Sequence, residues 1–168
     1  MAEATNGGAA PGTDSPRQLA INAQYVKDLS FENPRAPHSL LQPPQGVAPD
    51  LQIGVDVKAQ GLAADVYEVA MTLKVEARMQ NEVMFVVELV YGAVVSLINA
   101  TPEDVPIALM VETPRLLFPY ARNIVSEVTR DGGYTPLMMS PIDFAEIYRR
   151  RIAEQQQQQQ QPGGSATA

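Results

Sequence analysis

Two long runs in which every second residue is apolar constrain this chain more than any other feature. From Val66 to Arg78, Tyr67, Val69, Met71, Leu73 and Val75 alternate with Glu68, Thr72, Lys74, Glu76 and Arg78. From Val83 to about Leu97, Phe85, Val87, Leu89 and Tyr91 share one face, with Met84, Val86, Glu88, Val90 and Val94 on the other. A period of two belongs to a strand whose apolar side rests on a core. The polar Gln80-Asn81-Glu82 between the runs makes them a hairpin. Gly92, inside the second run, marks a bulge or a close backbone approach.

Two further segments alternate in the same way. Leu51, Ile53, Val55 and Val57 are interleaved with Gln52, Gly54, Asp56 and Lys58. Between Tyr25 and Glu32 a strict period puts Tyr25, Lys27, Leu29 and Phe31 on one face, and Val26, Asp28, Ser30 and Glu32 on the other. The proline-rich Asn33 to Pro49 that joins them cannot donate a full ladder and reads as a crossover loop.

After the strands the period changes. Thr101-Pro102-Glu103-Asp104 has the order of a helix start: a capping hydroxyl, proline in the first turn, then acids. Pro114 predicts a kink or restart near Thr113, because an interior proline costs about 3 kcal/mol or more in a straight helix. Tyr120, Ile124 and Val128 form a stripe with four-residue spacing, and Gly132-Gly133 ends it. Ser140-Pro141-Ile142-Asp143 starts a second helix carrying Phe144, Ile147, Tyr148 and Arg151. The expected fold is therefore α+β: a four-stranded antiparallel sheet with two C-terminal helices, the first long and kinked, on one face. The expected domain spans residues 23–154. Residues 1–22, rich in small and polar residues, and 155–168, which open on a glutamine run, read as disordered tails.

Composition narrows the function. A net charge of −7 disfavours nucleic acid. Arg149-Arg150-Arg151, the one dense basic run, reads as a solvated helix end. The absence of cysteine excludes disulfides and thiolate metal sites and fits a cytoplasmic setting. No secretory signal or apolar run of membrane-spanning length is present, so membrane insertion is not expected. His38 is the single histidine, and neither a P-loop nor a nucleophile-elbow motif occurs. Asp65 and Glu68 are close enough in sequence to be weighed as an acid/base pair, but read better as a loop end and a solvated strand residue. No cofactor and no enzymatic activity are expected. On residues alone, a polypeptide-binding protein, a small ligand-binding domain and a structural oligomer all remain open.

Four segments carry a resemblance. They are Tyr25-Val26-Lys27-Asp28-Leu29-Ser30-Phe31-Glu32-Asn33-Pro34 with Ala36-Pro37-His38; Ala64-Asp65-Val66-Tyr67-Glu68-Val69; Leu117-Phe118-Pro119-Tyr120-Ala121-Arg122; and Leu137 to Phe144. In order and spacing they resemble the SecB family of bacterial export chaperones, over about residues 24 to 152. The resemblance implies an ATP-independent holdase, assembled as a dimer of dimers. It would bind unfolded precursor polypeptides and pass them to the translocase motor SecA. It assigns contact with the zinc-bearing C-terminal segment of SecA to Asp28, Glu32, Val86 and Glu88. It assigns the client groove to Leu51, Ile53, Phe85, Phe118, Tyr120 and Tyr148, and the subunit contacts to Val87, Leu89 and Tyr91.

Overall fold

A computed structural model describes residues 16–41 and 48–160. The first fifteen residues, the middle of the proline-rich crossover and the residues after Gln160 lie outside it, and with them most of the two expected tails.

Four antiparallel strands form one sheet in the order β1-β4-β3-β2: β1 Gln18–Glu32, β2 Asp50–Ala63, β3 Val66–Met79 and β4 Glu82–Ile98. The β3–β4 hairpin closes where it was expected, with Gln80 and Asn81 both at positive φ, the conformation that a two-residue turn needs to match strand twist. Alternation then sorts the side chains. Val69, Met71, Leu73, Val75 and Ala77 of β3 stand opposite Ala93, Tyr91, Leu89, Val87 and Phe85 of β4, and all ten are buried. The reverse face carries Lys74, Glu76, Val86 and Glu88 and is left open.

β1 differs from expectation in two ways. It starts at Gln18, inside the segment read as a tail, because Leu19 and Ile21 pair with Leu97 and Val95 at the far end of β4. Two apolar residues in a polar stretch set no period by themselves; a long partner strand gives them a place. The second difference is a register shift between Val26 and Asp28. The extra residue, Lys27, reverses the faces back to Ala23, where a second shift, at Asn22, restores them. Leu29 and Phe31 oppose Leu89 and Val87, whereas Tyr25 opposes Gly92 on the open side. Gly92 is indeed a close approach: a Cβ there would lie 2.8 Å from the Tyr25 ring.

The helical half begins as the sequence predicts. The Thr101 hydroxyl donates to Asp104 at 2.9 Å and accepts from the Asp104 amide at 3.3 Å. After the single turn of α1, His38–Leu41, in the crossover, helix α2, Asp104–Ile107, passes through a π turn, Ala108–Glu112, into α3, Thr113–Asp131. The chain thus meets Pro114 without breaking. The wider turn directs the Thr113 amide to the Ala108 carbonyl, and the Thr113 hydroxyl joins it at 2.8 Å. The buried row of α3 is Thr113, Leu117, Ala121, Val125 and Thr129, each fully buried. The expected row Tyr120-Ile124-Val128 lies beside it. Two threonines conceal the true stripe from a hydropathy count, and their hydroxyls are satisfied internally; Thr129 donates to Val125 at 3.0 Å and accepts from the Leu137 amide at 3.0 Å.

Helix α4 runs Phe144–Gln160. Its cap is Asp143, which accepts from the amides of Ala145 and Glu146 at 3.0 and 3.1 Å, not Ser140. The helix continues into the glutamine run, since glutamine is a good helix former. The three arginines are therefore interior to α4 and do not end it.

Candidate functional site

The open sheet face carries the acidic candidates. Ser30 of β1 stands opposite Glu88 of β4, so Asp28 and Glu32 are the diagonal neighbours of Glu88, and Glu32 is directly opposite Val86. All four residues thus share one face of two adjacent strands. Glu88 is paired with Lys74 of β3 at 3.4 Å. Glu76, opposite Val86, is held by Arg78. Lys74 and Arg78 partly neutralise the face, which sequence reading had not anticipated.

Further along the same face Glu68 departs from its expected solvated position. It is 8% exposed. Lys27 reaches its two oxygens at 2.8 and 2.9 Å, Gln60 donates at 2.6 Å, and the Tyr25 hydroxyl donates as well. The bulge at Lys27 is what brings Tyr25 to this face. The hydrogen bond from Lys27, then that from Tyr25, holds the carboxyl below its ordinary pKa. The Tyr25 phenol is pushed up to about 12, chiefly by bonding to Glu68 and then by burial. Asp65 sits apart in the β2–β3 turn at positive φ. With its oxygens committed, Glu68 is no free base, and the acid/base pairing with Asp65 fails on geometry.

The groove candidates divide among three depressions on the helix side. Leu51 and Phe85 line a cavity of about 430 Å³ with Leu40, Met84, Tyr134 and Leu137. Phe85 packs between Tyr134, 4.9 Å between centroids, and Phe31, 6.1 Å. Ile53 and Tyr148 line a second cavity of about 500 Å³. Phe118 borders a smaller one, about 230 Å³, where it meets Phe144 edge-on at 6.0 Å. Tyr120 lines none of the three. It is 56% exposed and lies near Tyr91, whose phenol is raised by burial and then by Tyr120. Leu51 and Ile53, at 38% and 45%, are open to solvent, while Phe85 and Phe118 are buried.

Sequence reading missed Tyr134, the residue that builds the first cavity. Its hydroxyl lies 2.8 Å from Asn33 Oδ1, 3.0 Å from Ser39 Oγ and 3.1 Å from the Met84 carbonyl. It thereby ties the β1 end and the crossover to β4. The preceding Gly132-Gly133 was the available signal. A Cβ on Gly132 would collide with the Phe31 ring, and Gly133 has a φ of 89° beside Leu40. The pair is needed for close packing as well as for ending α3.

The subunit-contact candidates need correction. Val87 and Leu89 are fully buried beneath the helices of their own chain, and Tyr91 is nearly so. Their side chains are core. Val26, opposite Tyr91, and Leu29, opposite Leu89, are exposed apolar residues on β1, and Leu116 and Tyr120 are exposed on α3. Among the described residues no cluster of His, Cys, Asp or Glu could hold a metal ion, and no helix is long and apolar enough to cross a membrane.

Comparison with known proteins agrees with this architecture. The family model described as preprotein translocase subunit SecB matches residues 12–158. The protein-export protein SecB of Paramagnetospirillum magneticum is 49% identical over 144 residues, covering 86% of this chain and 91% of its own. That of a Bradyrhizobium species is 49% identical over 149 residues, covering 88% and 91%. A Mycobacterium tuberculosis SecB-like chaperone, solved with a ChAD peptide from an antitoxin, shares the fold with a TM-score of 0.62 at 14% identity, covering 74% of this chain and 90% of that one. With a family model spanning nearly the whole chain and relatives at almost half identity, the chain belongs to the SecB family, whose members are export chaperones and not enzymes.

Proposed function

We propose that this protein is an ATP-independent holdase. It keeps precursor polypeptides unfolded in the cytoplasm and delivers them to SecA. The observation that carries the reading is the separation of two kinds of surface. A largely apolar cavity at Leu51 and Phe85 and a mixed one, at Ile53, Val55 and Tyr148 with charged residues at its edge, lie on the helix side, and carboxylates converge on the opposite sheet face. Unfolded chains share apolar side chains and backbone but no common motif, so open apolar cavities suit promiscuous capture. The names of the relatives support a role in export, and the peptide bound to the mycobacterial chaperone supports polypeptide clients.

Asp28, Glu32 and Glu88, with Val86 between them, form the proposed contact for the zinc-bearing C-terminal segment of SecA. A basic partner there must replace Lys74 on Glu88. Each exposed carboxylate contributes only about 0.2–1 kcal/mol, so the patch works as a group and weakens as salt rises. Leu51, Ile53, Phe85, Phe118 and Tyr148 form the client surface. Val26, Leu29, Leu116 and Tyr120 supply the contacts of a homotetramer built as a dimer of dimers.

The test is calorimetry of the triple variant Asp28→Asn, Glu32→Gln, Glu88→Gln against a zinc-loaded SecA tail peptide. A capture assay with a reduced, alkylated polypeptide and no nucleotide runs beside it. Near-complete loss of tail binding with capture intact is expected. Wild-type affinity for the tail would remove the assigned site, and capture that needs ATP would remove the holdase mechanism.

A further inference from the structure

Arg151 is the one side chain of α4 that, among the described residues, hydrogen-bonds to the sheet. Its Nη1 donates to the main-chain carbonyl of Val57 at 2.8 Å and lies 3.6 Å from Asp56 Oδ1. Both acceptors belong to β2, an edge of the sheet. The cavity of about 500 Å³ at Ile53 and Val55 and another of about 520 Å³ at Lys58 and Gln60 are both lined by Val57, Met110, Tyr148 and Arg151. Arg151 therefore stands on the boundary between two depressions along the same edge strand.

The acceptor it occupies matters. An edge strand exposes main-chain groups that another extended chain can pair with, and a charged side chain laid across them is a known form of protection. An arginine donor on the Val57 carbonyl shows that this acceptor is reachable from outside the sheet. An extended polypeptide offers a backbone N–H on one side at every second residue and could take that place. Its alternate side chains would then meet Ile53, Val55 and Tyr148. The carbonyl and the Asp56 carboxylate are both acceptors, so this edge does not suit an anion. With Arg151 withdrawn, Lys58 and Arg150 balance Asp56 and Glu154, and Lys27 is paired with Glu68, so the lining has no charge preference and favours an uncharged segment whose apolar side chains meet Ile53, Val55, Met110 and Tyr148.

We propose that Arg151 is a latch on the β2 edge: when it leaves Val57 and Asp56, the two depressions join into one trough that takes an extended apolar polypeptide segment as an added strand. The proposal rests on the holdase reading and adds a residue that controls the rate of capture. A latched state that must open first lowers the competent fraction, and so lowers the apparent association rate by the same factor.

The experiment is stopped-flow association of fluorescently labelled, reduced and alkylated α-lactalbumin with the full chain. Arg151→Ala should associate roughly three- to tenfold faster, with dissociation little changed. Asp56→Asn removes only the ion pair, so it should move the rate in the same direction by less. Raising salt from low to about 0.5 M should speed association of the wild type, by screening Arg151 from Asp56, but not of Arg151→Ala. Equal rates in folded variants would overturn the latch. Slower capture by Arg151→Ala would overturn it too, by making the guanidinium a client contact. A rise in the mass of client-free Arg151→Ala would show that a second copy is the natural occupant of the edge, and would overturn the assignment to clients. If the wild type captures nothing, the holdase reading fails and the latch with it, an outcome recognisable because the wild type itself is inactive.

Discussion

Single residues in this protein take their meaning from one slipped register. Lys27 is the extra residue of a bulge, and that places both Lys27 and Tyr25 on Glu68. The carboxyl is held below its ordinary pKa, so its contribution to stability is complete above the unfolded value, about 4.3, and is lost as pH falls through the lower folded value. The Tyr25 phenol is raised from 10.0 to about 12, so its contribution is complete below pH 10.0 and lost as pH climbs toward about 12. Glu68→Gln should therefore lower the denaturant midpoint by a constant amount between about pH 5 and 9, with the gap to wild type closing in acid. Glu68→Ala should cost about 1 kcal/mol near neutrality, by removing the acceptor shared by Tyr25, Lys27 and Gln60. Urea titrations across pH check both; a gap that does not vary with pH would mean the carboxylate charge plays no part.

At the scale of elements, the π turn decides how the longest helix survives its prolines. Thr113 supplies both its amide and its hydroxyl to the Ala108 carbonyl in a fully buried setting. Thr113→Val keeps the shape and the amide bond but removes the hydroxyl, and should cost about 1 kcal/mol. Asp143→Ala should cost a similar amount by uncapping α4. Chemical denaturation measures each. Asp143 lies 3.8 Å from Arg115, two residues beyond Thr113, so the double variant should depart from additivity by about 0.5 kcal/mol or more. A large excess over additivity would show that α4 docking depends on the π turn it packs against.

For the whole molecule, the division between buried core and exposed apolar residues decides which substitutions test the proposed tetramer. Val87 is fully buried, so Val87→Asp should cost several kcal/mol, a large share of a typical total of about 5–15, and impair folding before it affects subunit contacts. Leu116 and Tyr120 are exposed and one helical turn apart. Leu116→Ser with Tyr120→Ser should lower the mass in analytical ultracentrifugation while leaving the unfolding midpoint of the chain nearly unchanged. An unaltered mass would return Tyr120 to the client surface.

The alternation of β3 and β4, the turn between them and the Thr101 helix start were legible in the sequence because each is a local device: a period of two, residues that tolerate positive φ, a hydroxyl facing an acid three residues on. The convergence of Asp28, Glu32, Val86 and Glu88 was legible in part. Alternation gave the face within each strand, while the adjacency of β1 and β4 comes from topology. What the sequence could not show depends on partners distant along the chain. Leu19 and Ile21 become strand only against the end of β4, and the Lys27 bulge reverses a face that strict alternation keeps constant. Thr113 and Thr129 are polar by composition but core by position, because backbone carbonyls take up their hydroxyls. Tyr134 and Arg151 look like ordinary surface residues until tertiary contact brings one to Asn33 and Met84 and the other to the Val57 carbonyl. Local sequence sets period and turns, whereas burial and pairing are set by neighbours dozens of residues away, and only the folded chain brings those neighbours together.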